Sequence, residues 1–269
     1  MAMIEARGVE LAWESHGEGE PVLLLHETAT SSAAWAPVIE SLAPLARAVA
    51  LDRRGWGEST APEAYLRTTI EEQSEDAAVV IAASGDPAVA CGAGIGAAIA
   101  LDLVLRRPEL MAGAVLIEPP LLGLVPAATE AISEDRRELE RAVVEGGLEA
   151  VISLYLSGAL RGLGAGTERL PAELTSGARG RPRSVVAEIG AVPAWSLPLA
   201  RLGSATRPSA IVVSARTPPL LREAADVLAA RLARAELREL PGTGPAHLEA
   251  PAEVAELAAS WARSSAPRR

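Results

Sequence analysis

Lysine, phenylalanine and asparagine do not occur in this 269-residue chain, and cysteine occurs once. Without lysine, Schiff-base chemistry is closed to it. A single thiol, Cys91, cannot form an intramolecular disulfide, as suits a reducing compartment. Basic residues are in the minority: 25 arginines face 35 acidic side chains, for a net charge of −10. That balance argues against a nucleic-acid partner, which needs a basic surface for its phosphates. No apolar run reaches the roughly 18 residues of a membrane helix, so no membrane partner is expected. The first residues, MAMIEARGVELAWESHG, carry acids where a secretion signal would be basic. A cytoplasmic protein acting on a small molecule is the expectation.

What is present is a rhythm. VELAWESHG (9–17), PVLLLH (21–26), RAVALD (47–52), residues 88–92 and GAVLIE (113–118) read as strands, several apolar throughout and hence buried on both faces. Helical spacing covers 31–43, 69–83 and 96–106 between them. Alternation of this kind predicts an α/β fold with a parallel sheet and helices on both faces. From Pro119 to Pro208 the alternation stops, and TEAISEDRRELERAVV, LEAVISLYLSGAL and SVVAEIGAVPAWSLP have helical spacing alone. Strands at 209–215 and 235–241 then alternate with helices at 219–232 and 250–263.

Four segments, in order, carry a family pattern: LLLHETATSSAAWAPVIESLA, LDRRGWGEST, GAGIGAAIALDLVLRRPE and LPGTGPAHLEAPAEV. Over residues 3–263 the chain resembles the capped branch of the α/β-hydrolase fold, which includes epoxide hydrolases, haloalkane dehalogenases and C–C hydrolases. The resemblance implies an eight-stranded, mostly parallel sheet flanked by helices, with a helical cap inserted after the sixth strand. Residues 1–118 and 209–269 would form the core and 119–208 the cap. It implies no metal and no cofactor. A dinucleotide reading of GAGIG fails, because the elbow follows the fifth strand and no acid stands about 20 residues downstream in the required role.

The departures from the family pattern all concern catalysis. The strand-to-helix elbow usually lifts a Ser, Asp or Cys above the sheet, but its middle position here is Gly94. Making Cys91 the nucleophile would put Ala93 where the turn needs glycine, so Cys91 reads as a buried strand thiol. The oxyanion loop usually reads His-Gly and here reads His26-Glu27. Thr217 stands where the triad acid is usual, and only His247 remains of the triad. Glu118 closes the sixth strand, where some relatives carry the acid instead.

These residues lead to an expectation of noncovalent acid–base chemistry by a lyase, isomerase, epimerase or cyclase acting on a small, mostly apolar molecule, not an ordinary serine esterase. His247 would be the base, Glu118 the acid that orients it, and Glu27 a second proton-transfer group. Gly94 would leave room for a water or a substrate oxygen. Gly94 and Ile95 at the helix start, with His26, Trp35, Trp56 and Trp195, would line the substrate site. Arg53 and Arg54 would bracket a substrate carboxylate or buttress their loop. Two further readings stand beside this one: hydrolysis by water that His247 activates, and a ligand-binding protein without catalysis.

Overall fold

Strands with no polar face must be covered on both sides, and in the computed structural model, which describes residues 1–85 and 87–265, such strands occupy the sheet centre. The sheet has eight strands: β1 (Ala2–Ala6), β2 (Val9–His16), β3 (Pro21–Leu25), β4 (Arg47–Leu51), β5 (Ala88–Ala93), β6 (Met111–Ile117), β7 (Ser209–Ser214) and β8 (Ala235–Leu240). Their order is β1-β2-β4-β3-β5-β6-β7-β8. β1–β2 and β2–β4 pair antiparallel, and the remaining pairs are parallel. Every residue of β3, β5, β6 and β7 is buried, whereas the edge strands β1 and β8 are largely solvated. β1 was not predicted from the pattern. It is a five-residue edge strand, and its mostly exposed positions show no clean alternation.

Helices α1 (Ala36–Leu42), α2 (Ile70–Ser84) and α3 (Ile95–Arg106) follow β3, β4 and β5. Thr69 caps α2 by accepting from the Glu72 N–H at 3.0 Å, and Glu71 and Glu72 set negative charge against the positive end of the helix. α3 is buried from Ile95 to Leu105, which explains why that stretch is apolar but for Asp102. Between β6 and β7 the chain forms helices and no strand among the described residues. The two stretches read separately there form one element, α4 (Ala128–Leu156), broken at Gly147, whose φ of 63° and ψ of −152° are not helical. This helical segment, the cap, also contains the helix Pro182–Ile189.

The strand order reverses direction at one place. The chain leaves β3 toward β4 on one side and returns to β5 on the other. A crevice opens beyond the carboxyl ends of strands at such a switch point. Leu25 of β3 lies opposite Gly92 of β5. Two residues further on, this register makes neighbours of Glu27 and Gly94.

Candidate active site

The elbow has three glycines, each with its own reason. A Cβ on Gly92 would lie 2.1 Å from the Gly96 carbonyl oxygen, and one on Gly96 would lie 2.1 Å from that of Leu25. These two let α3 start hard against the sheet. Gly94 has φ 54° and ψ −123°, a backbone that side chains rarely adopt. A Cβ there would stand 2.9 Å from Glu27 Cβ and 3.4 Å from Glu27 Oε2. The room expected for a water is therefore filled by the Glu27 side chain. Gly94→Ser is expected to displace Glu27 and to cost about 1–3 kcal/mol of stability, which a denaturant titration against wild type will measure.

Glu27 Oε1 is 3.6 Å from His247 Nε2, with the His247 side chain 1% and that of Glu27 16% exposed. Burial, and next the negative charge of Glu118, push the Glu27 carboxyl up to about 8. Burial, with help from the positive charge of Arg169, pushes His247 down to about 3. At neutral pH the acid therefore carries a proton and the imidazole does not. His247 Nδ1 finds no hydrogen-bond partner among the described residues, and the Trp35 ring packs against the imidazole at a centroid distance of 4.8 Å.

Folding links these shifts to pH. Glu27 holds its proton more tightly folded than unfolded, so its contribution falls as pH rises from 4.5 to about 8. His247 is kept neutral by the fold, so its contribution falls as pH drops from 6.5 to about 3. Where the two windows overlap the slopes oppose. The pair alone predicts a stability plateau between pH 4.5 and 6.5 with a decline on either side. Urea midpoints measured across this range will check it, and Glu27→Gln should flatten the alkaline decline.

Glu118 does not orient His247, contrary to the expectation. Arg169 donates to both its oxygens, Nη1 to Oε1 at 3.1 Å and Nη2 to Oε2, and Thr217 Oγ1 donates to Oε1 at 2.6 Å. An arginine from the cap has claimed the carboxylate. Glu118 also has φ 45°, an uncommon backbone for a residue with a side chain.

A cavity of about 370 Å³ lies over this floor, within the range of small-molecule sites. Glu27, Gly94, Ile95, Glu118 and Trp195 line it, with Trp195 Nε1 anchored to Asp102 at 3.2 Å. His26, Trp35 and Trp56 are not on the cavity wall. His26 is fully buried, its Nδ1 2.9 Å from the Glu27 carbonyl oxygen and its Nε2 accepting from the Arg53 N–H at 3.1 Å. Trp35 packs on His247, and Trp56 Nε1 donates to Glu188 at 2.9 Å.

Arg53 buttresses its loop and holds no free site for a substrate carboxylate. Its guanidinium grips Glu188 of the cap, which also accepts from Thr28, Trp56 and Gln73. Arg54 is engaged by Asp76 and Glu72. Cys91 is buried in β5, where burial pushes the thiol far up, so it is no nucleophile.

Thr28, Tyr155, Arg169 and Glu188 also line the cavity, and the pattern reading missed all four. A signal existed only for Glu188, an acid standing among Val185, Ile189 and Val192 at helical core spacing. Among the described residues no set of three or more His, Cys, Asp or Glu gathers as a metal site. No helix among them is long and apolar enough to cross a membrane.

A sheet with its cavity at the switch point, an elbow at the end of β5 and a histidine after β8 define an α/β-hydrolase architecture. The chain belongs to the alpha/beta hydrolase family, whose model matches residues 16–257. It is similar to pimeloyl-[acyl-carrier protein] methyl ester esterase of Vibrio campbellii, 26% identical over 136 residues, 48% of this chain and 51% of the esterase. A haloalkane dehalogenase of Agrobacterium fabrum is 29% identical over 130 residues, 45% and 40% of the two chains. The matches thus span about half the length of these curated relatives, or less. Among solved structures, Est816, described as an N-acyl homoserine lactone degrading enzyme, is 26% identical with a TM-score of 0.72, over 95% of this chain and 98% of that one.

These relatives overturn the expectation of a noncovalent lyase, isomerase or cyclase: they carry hydrolytic names. The geometry of the corner also differs from the expectation. The bare Gly94 implies open space at that corner, whereas the loop after β3 brings the Glu27 side chain to the same place.

Proposed function

We propose that this protein is a hydrolase of a small, largely apolar molecule enclosed between sheet and cap, with Glu27 as the reactive group and His247 as its proton partner. The observation that carries this reading is the Glu27–His247 pair at 3.6 Å on the cavity floor. It occurs in a chain whose family and relatives are named for hydrolysis. The cavity wall beyond this floor is predominantly aliphatic, with Leu121, Leu122, Leu124 and Val192 among its residues, and would favour an apolar substrate body. Burial keeps Tyr155, on the same wall, firmly protonated, so it serves as a hydrogen-bond donor to bound substrate.

The test is a hydrolysis panel of p-nitrophenyl esters, N-acyl homoserine lactones, alkyl halides and epoxides. Turnover is expected for at least one class and should increase with pH through about 8, as Glu27 ionises. A panel without turnover at any pH would remove the proposal, as would a rate indifferent to ionisation near pH 8.

A further inference from the structure

One side of the cavity comes from a single cap loop. After α4 the stretch SGALRGLGAG (157–166) runs irregularly to the short helical turn Thr167–Arg169. Gly162, Leu163, Ala165, Gly166, Thr167 and Arg169 line the cavity. A loop with glycine at 158, 162, 164 and 166 loses much chain entropy on ordering, so something must hold it. What holds it is a carboxylate. Asp135, a buried residue of α4, accepts from the backbone N–H groups of Arg161 at 3.2 Å, Gly162 at 2.7 Å and Leu163 at 2.6 Å. Hydrogen bonds to an ionised acceptor are the stronger kind, and successive amides turned to one point cradle an anion. A Cβ on Gly162 would stand 3.1 Å from Asp135 Oδ2, so the glycine lets the loop close on the carboxylate. At the loop's far end Thr167 Oγ1 donates to the Tyr155 carbonyl at 2.7 Å, and Arg169 reaches Glu118. A Cβ on Gly166 would stand 2.9 Å from Arg169 Nη2, so a side chain there would obstruct the arginine.

Building on the hydrolase reading, we infer that Asp135 is a positioning residue for substrate, fixing the glycine loop as a cavity wall and holding Arg169 in reach of Glu118. Asp135 is not itself on the cavity wall, so it acts through the loop. Burying a carboxylate is unfavourable unless hydrogen bonds satisfy it, and here the bonds come from the segment that walls the cavity. Its influence has two outlets. The shape of the wall governs how tightly a molecule is held. The position of the guanidinium governs the field at Glu27, which faces His247, Glu118, Arg169 and Arg53. Among these, Glu118 strengthens the hold of Glu27 on its proton and the two arginines weaken it. Releasing the loop withdraws Arg169 and leaves the charge of Glu118 uncompensated.

Full-length wild type, Asp135→Ala and Asp135→Asn provide the test in three measurements. These are amide hydrogen exchange, binding of the neutral apolar fluorophore N-phenyl-1-naphthylamine, and kinetics on the panel member that wild type turns over best. In Asp135→Ala the amides of residues 161–163 should exchange at least about tenfold faster, and the fluorophore should bind about tenfold more weakly. KM should rise about tenfold, by more than the alkaline-plateau kcat falls. The rate inflection near pH 8 should move to higher pH, because Arg169 no longer favours the ionised Glu27. Asp135→Asn keeps one acceptor oxygen and should fall between the other two throughout, and it carries the test if the alanine variant does not fold. Faster exchange with KM, fluorophore affinity and the pH inflection all unmoved would overturn the inference and leave the hydrolase reading standing. So would exchange at 161–163 as slow in both variants as in wild type. A silent hydrolysis panel with the fluorophore response intact would remove the hydrolase reading and leave Asp135 as the organiser of a binding wall. Neither turnover nor fluorophore binding by wild type would remove both.

Discussion

Replacing Glu27 with glutamine is expected to lower kcat by at least about a thousandfold, with KM close to wild type. The side chain keeps its volume over Gly94, so the cavity floor keeps its shape. Wild-type Glu27 is itself protonated at neutral pH, because burial and Glu118 push it up to about 8. The amide therefore resembles the resting enzyme but cannot ionise. Wild-type kcat should climb as pH passes about 8, whereas the variant's residual rate should stay flat. Steady-state kinetics on any turned-over member of the panel will show this. A variant that retains more than a tenth of wild-type kcat would remove Glu27 from the chemistry.

The largest effect on stability is expected from Glu188→Ala, at about 3–5 kcal/mol. The carboxylate is fully buried and accepts from Arg53, Trp56, Gln73 and Thr28, the last at 2.8 Å. Its removal leaves a guanidinium with a side chain only 2% exposed and no counter-charge. Removing one partner of a buried pair costs far more than the pair contributes, because the survivor stays desolvated. The same variant should loosen the cap, since the helix Pro182–Ile189 also meets the core loop through Ser184, whose Oγ donates to the Gly55 carbonyl at 2.8 Å. Chemical unfolding will give the energy, and limited proteolysis should find new cleavage in residues 119–208. A surface substitution such as Glu138→Ala, in a pair whose side chains are 47% and 60% exposed, should change little.

How far the site was legible follows from the range of each interaction. The strands PVLLL and GAVLI were readable because a strand buried on both faces has no polar positions to confuse the pattern. The elbow was readable because two close backbone approaches forbid any residue but glycine at 92 and 96. Glu27 stood out as a charge where the family pattern has none. Its neighbour across the crevice was not readable, because that depends on β3 lying beside β5. Glu118 was assigned to the wrong partner for the same reason. Arg169, 51 residues away in the cap, reaches it first, and the loop RGLGAGTERLP has no periodicity from which its path could be drawn.

By itself, then, the amino-acid sequence determined the α/β framework, the glycine elbow and the absence of a side chain at position 94, because these depend on local spacing and on steric limits within a few residues. Only the tertiary structure decided which carboxyl faces His247, which one the cap arginine neutralises, and what fills the corner above Gly94. Those outcomes depend on side chains from β3, β6 and the cap meeting in a desolvated crevice, where a few ångströms decide which partner a carboxyl meets.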